Sequence, residues 1–97
     1  RHSIVFTANQ NKSIGDKITI AKNQKVALKV SLQGFGIDSK LLLISDGKVI
    51  KESNISGADF TENHTFSTDK NNYVRLEIRN KDGKIIAMTN PIYFRLK

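Results

Sequence analysis

Hydrophobic residues recur at every second position through much of the chain. Val26, Leu28, Val30 and Leu32 alternate with Lys25, Ala27, Lys29 and Ser31. Val74, Leu76 and Ile78 alternate with Tyr73, Arg75, Glu77 and Arg79. Successive side chains of an extended strand point to opposite faces, so each run predicts a strand with one buried face. Ile4 with Phe6 and Ile18 with Ile20 give shorter versions, and residues 60–66, 85–88 and 92–96 supply further candidates.

Turn chemistry punctuates these runs. The apolar block 41–44 and the pair Val49, Ile50 flank Asp46-Gly47, and a second Asp-Gly pair, Asp82-Gly83, joins the 74–78 run to residues 85–88. Asp-Gly marks a tight hairpin because both central residues of such a turn need positive φ. A helix over residues 37–45, capped by Asp38 or Ser39, is the competing reading of that block. Its shortness and its direct run into the turn favour a strand. The expected fold is all-β: an immunoglobulin-like β-sandwich of about eight short, mostly antiparallel strands. Asp69 stands four residues before Tyr73, as on the approach to a tyrosine corner. A corner would turn Tyr73 and Arg75 inward, yet Val74, Leu76 and Ile78 claim that face, so a plain polar turn is expected.

The chain has 97 residues, the size of one domain, with residues 1–97 expected to form a single sandwich. It has no cysteine, which excludes disulfides and thiolate chemistry. No apolar run approaches the ~20 residues of a membrane-spanning helix. The chain opens at Arg1 and reads as the C-terminal piece of a larger protein. The compartment, cytoplasmic or secreted, stays open. The formal net charge of +7 raises polyanions as partners, but the lysines are scattered rather than clustered, as on a solvated surface.

Catalytic chemistry has little to stand on. The two histidines are His2, at an end expected to be mobile, and His64, in phase with Phe60, Glu62 and Phe66. Asp59, Glu62 and His64 could ligate a cation only with a further partner from a loop. The serines have no evident base, and Gly34-Phe35-Gly36 lacks the third glycine and helix of a phosphate-binding loop. The few aromatics are not interleaved with arginine as in an RNA-reading sheet, so nucleic acid is not an expected partner. Asn11, Asn54 and Asn63 each begin an Asn-x-Ser/Thr sequon, which matters only in a secreting eukaryote. The chain is not expected to be an enzyme by itself and needs no cofactor.

The string "YVRLEIRNKDGKIIAMTNPIYF", Tyr73 to Phe94, resembles the closing segment of bacterial PHP-type metal-dependent phosphoesterases, the polymerase-and-histidinol-phosphatase superfamily. Tyr73, Arg75, Glu77 and Arg79 fit an aromatic-x-Arg-x-Glu-x-Arg strand; Ala87, Thr89, Asn90, Pro91, Ile92 and Tyr93 fit the ending that follows. The resemblance implies a non-catalytic β-sandwich appended after a metal barrel lying upstream. Divalent metals and phosphoester hydrolysis would then belong to that barrel, and no ligand motif of it occurs here. The upstream catalytic domain is the implied partner in cis. The alternative reading is an independent extracellular immunoglobulin-like module that binds carbohydrate or protein.

Two sets of residues follow from these readings. Tyr73, Arg75, Arg79 and Tyr93 lie on strand positions facing away from the core and are candidates for contact between domains. Arginine suits such a face because its planar fork holds carboxylates bidentately. Cross-strand pairing with Glu or Asp on a solvated face is the plainer possibility. Thr89, Asn90 and Pro91 form the second set, a structural break. Pro91 lacks an N–H and cannot sit inside a fully paired strand. The break should let 85–88 and 92–96 pair in different places or registers, with Thr89 and Asn90 bonding the freed backbone groups. Ile92, Phe94 and Leu96 should then be buried, and Tyr93 and Arg95 exposed.

Overall fold

The computed structural model describes residues 2–97. The described residues are all β, as the alternation predicts. Ten strands occur: β1 (Ser3–Ala8), β2 (Lys12–Ser13), β3 (Lys17–Ile20), β4 (Val26–Gln33), β5 (Lys40–Ser45), β6 (Lys48–Asn54), β7 (Asp59–Phe66), β8 (Asn72–Arg79), β9 (Ile85–Met88) and β10 (Ile92–Leu96). The count exceeds the expected eight in part because β2 has two polar residues and no alternation to announce it. No helix among the described residues is long and apolar enough to cross a membrane.

The strands form two sheets. The smaller has the order β2-β1-β4-β7 and is antiparallel throughout. The larger has the order β3-β10-β8-β5-β6, with β9 also against β8. Its pairs are antiparallel except β3 with β10, which is parallel. The chain thus crosses between sheets after β2, after β3, after β4, after β6 and after β7.

One face of each sheet builds a shared core. Phe6, Val26, Leu28, Val30 and Leu32 from the smaller sheet meet Leu41, Leu43, Val74, Leu76, Ile78, Ile92 and Phe94 from the larger. The Phe66 and Phe94 rings pack across the two sheets with centroids 5.0 Å apart. Each such side chain contributes roughly 1.5–3 kcal/mol on burial.

The two Asp-Gly turns differ. Asp46 (φ 52°) and Gly47 (φ 74°) both lie in the left-handed region, giving the expected two-residue hairpin between β5 and β6. At the second, only Gly83 (φ 81°) does. Asn80 N–H donates to the Lys84 carbonyl at 2.9 Å and Gly83 N–H to the Asn80 carbonyl at 3.0 Å. The expected two-residue turn is therefore a three-residue loop closed on a left-handed glycine. The Asn80 side chain takes the place of further turn backbone, its Oδ1 accepting from Asp82 and Lys84 N–H.

The Asn90-Pro91 break works differently from a change of neighbour. Met88 and Ala87 pair with Glu77 and Ile78, while Ile92, Tyr93 and Phe94 pair with Val74, Tyr73 and Asn72. Both segments lie along the same margin of β8, and the register slips by one residue between them. Thr89 N–H donates to the Leu76 carbonyl, and Thr89 Oγ1 accepts from Leu76 N–H, both at 3.1 Å. The threonine side chain thus supplies the acceptor that the break removes. Asn90 is exposed and makes no hydrogen bond of this kind, so the expected role falls to Thr89 alone. Pro91 stands just before β10, where its carbonyl accepts from Gly15 N–H at 2.9 Å. Ile92 and Phe94 are buried, Leu96 is half-buried, and Tyr93 and Arg95 are exposed, as the alternation requires.

Candidate interaction surface

The outer face of the larger sheet departs from the rule of polar residues outside. All of Leu41 to Ser45 is buried in β5. Leu41 and Leu43 point into the sandwich, but Leu42 and Ile44 are buried without belonging to its core. They lie on the outer face, Leu42 between Glu77 and Glu52 and Ile44 between Arg75 and Val49. Neighbouring side chains cover them, not a second layer of protein.

Glu77 is the charged centre of this face. Its side chain is only 5% exposed, and both oxygens are taken. Arg75 Nη1 donates to Oε2 at 2.6 Å, while Arg79 Nε and Nη2 donate to Oε1 at 3.0 and 2.8 Å. Arg79 Nη1 also reaches the Gly83 carbonyl at 3.2 Å, fixing the β8–β9 loop. Hydrogen bonds from Arg75 and then Arg79 hold the Glu77 carboxyl below its ordinary value near 4.5. The arginines therefore pair with a carboxylate on their own strand, two residues away, rather than across strands.

Tyr73 and Tyr93 stand opposite each other on β8 and β10. The Tyr73 hydroxyl accepts from Gly47 N–H at 2.9 Å, tying the β5–β6 turn to β8. Asp46 of that turn pairs with Lys70, which lowers the aspartate and raises the lysine. The approach to β8 is a polar turn, as the parity implies, but it carries more bonds than a plain one. Asn72 Oδ1 accepts from Ser45 Oγ and Asn72 Nδ2 donates to Thr68 Oγ1, while Asn71 Oδ1 accepts from Leu96 N–H.

Tyr73, Arg75, Arg79 and Tyr93 thus share one face. Sequence reasoning missed the apolar part of it: Leu42 and Ile44 buried, with Val49, Ile85, Ile86 and Met88 exposed nearby. The unbroken block 41–44 was the available signal, since a strand apolar at consecutive positions is covered on both faces. Thr89 and Pro91 lie at the margin of the same sheet.

The titratable residues elsewhere do not assemble. Asp59 points to the outer face of the smaller sheet, opposite to Glu62 and His64 on the same strand. Burial, then the charge of Lys51, lowers His64 below its ordinary 6.5, with Glu62 opposing. A neighbouring lysine disfavours a cation there. No three His, Asp or Glu side chains gather among the described residues. His2 stacks on Phe35, with ring centroids 4.3 Å apart, instead of lying free. Asn11, Asn54 and Asn63 are all exposed. No family model matches the chain, and no curated protein gives a significant match.

Proposed function

We propose that this chain is a non-catalytic accessory domain that docks through the outer face of its larger sheet. The partner is an upstream catalytic domain of the PHP phosphoesterase type, the reading that the Tyr73–Phe94 resemblance supports. The observation that carries docking is the composition of that face. Buried Leu42 and Ile44, exposed Val49 and Met88, two tyrosines and two arginines match the centre of a protein interface, where aromatic residues, Met and Arg are enriched. The divalent metals of such a protein would belong to its catalytic domain.

The strand order also supports the immunoglobulin-like assignment. The chain begins in one sheet, moves to pair in parallel with the last strand of the other, and then alternates between sheets. That order equally favours the second reading, an extracellular module binding carbohydrate or protein, with Tyr73 and Tyr93 as stacking surface.

Two measurements separate these readings. A His-x-His metal barrel encoded upstream supports the accessory domain; tandem β-repeats or a wall anchor supports the module. In a protein containing the barrel, amide exchange along β5, β8 and β9 should be slower than in residues 1–97 alone. Equal exchange would defeat docking through this face.

A further inference from the structure

The margins of the two sheets are guarded unequally. An open margin presents unpaired N–H and C=O groups, and charged residues on it normally deter another strand. β6 carries Lys48, Lys51 and Glu52, and β7 carries Asp59, Glu62 and His64. β9, with the sequence Ile-Ile-Ala-Met, carries no charge. It pairs with β8 alone. The segment that covers the adjoining β10 stops at Gly15, where it bonds Pro91, and the residues before it pair in the other sheet. No other strand among the described residues pairs with β9. Ile85, Ile86 and Met88 are 45%, 42% and 58% exposed.

The backbone of β9 is aimed for pairing. Thr89 N–H bonds the Leu76 carbonyl, so Thr89 faces β8. In an antiparallel pair, positions that bond the neighbour alternate with positions that do not. Ala87, opposite Ile78, therefore also faces β8, and Met88, opposite Glu77, turns its N–H and C=O to the open margin.

We propose that the margin of β9 is a strand-addition site for an extended segment of a partner protein, apolar at alternate positions and acidic between them. Main-chain bonds to Met88 would supply the pairing, and Ile86 and Met88 would receive the apolar side chains. Charge selects the occupant. The chain carries +7, and in the loop beside β9 Lys81 and Lys84 outnumber Asp82. Glu77, the acid opposite Met88, is already held by two guanidiniums. A second copy would bring the same positive charge to the edge. Met88 borders both sites, but only the edge needs its backbone N–H, so comparing Met88→Pro with Met88→Ala tests the edge apart from the docking face.

The test titrates the full chain with a synthetic peptide alternating valine with glutamate, and with its lysine-for-glutamate counterpart. The glutamate peptide should bind saturably, more weakly as salt rises, and should slow exchange of the Met88 amide. Met88→Ala keeps the N–H and should lose only the part of the binding that the Met88 side chain supplies. Met88→Pro removes a donor that faces no strand of the fold, so it should melt close to the parent yet bind about tenfold more weakly or worse. Equal binding by Met88→Pro and Met88→Ala overturns the proposal, as does equal affinity for the lysine peptide. A Met88 amide already protected in the dilute chain, or self-association through β9, overturns it too.

Discussion

The two sheets share a core but present unlike faces outward. On the smaller sheet, Thr7, Lys29, Ser31, Thr61, Asn63 and Thr65 alternate with core residues, and only Val5 among the large apolar side chains is exposed. This is the ordinary result of one face on the core and one in water. On the larger sheet, Leu42, Ile44 and Glu77 are buried on the outer side as well. Both faces obey the same period of two. What separates them is what fills the outward positions, and only one filling resembles a contact surface.

The largest expected effect removes what both faces rest on. Truncation after Thr89 deletes Ile92 and Phe94 from the core and leaves β3 without its partner. Losing two or more side chains worth roughly 1.5–3 kcal/mol each, from a total of about 5–15, should abolish the cooperative melt. A parent-like melt would mean that β10 is an appendage.

Leu42→Ala then sets the faces against each other. It should cost about 2–3 kcal/mol in denaturant unfolding, as for a buried site. Val5→Ala, on the other outer face, should cost no more than about 0.5 kcal/mol. Equal costs would dissolve the contrast.

Glu77→Gln should cost about 1–2 kcal/mol at neutral pH, against near zero for Asp59→Asn. The pH dependence has a definite sign. Because the folded carboxyl is held below its unfolded value near 4.5, its contribution is full above that pH and is lost as pH falls through the folded value. Unfolding measured from neutral pH to below 4.5 should show wild type converging on the variant. A constant gap would contradict the assignment.

The smallest effect lies on the seam between the sheets. His64 should titrate by NMR with a midpoint below 6.5, and Lys51→Ala should raise it. An unmoved midpoint would remove Lys51 as a cause.

Much of the fold was legible because β4 and β8 bury one face, and water enforces the alternation there. β2 was not legible, since two polar residues gain nothing from burial. Asp46-Gly47 could be read as a tight turn; Asp82-Gly83 could not be told from it, because the Asn80 side chain decides that loop. The candidate face was legible through Tyr73, Arg75, Arg79 and Tyr93, whose outward phase follows from their neighbours. The burial of Glu77 was not, because it arises from two arginines closing over it rather than from its own position. Pro91 announced a break, but the capture of Leu76 by Thr89, which keeps both segments on β8, depends on geometry across the sheet.

The parallel pairing of β3 with β10 has a consequence in time. Ile18 and Ile20 wait for Phe94 and Leu96, across most of the chain. At about 5–20 residues per second of synthesis, several seconds separate the two strands on the ribosome. During that interval the larger sheet is open along one side, and pairing over so long a separation is slow to form. The sandwich therefore closes late, as a unit, once its last strand has emerged.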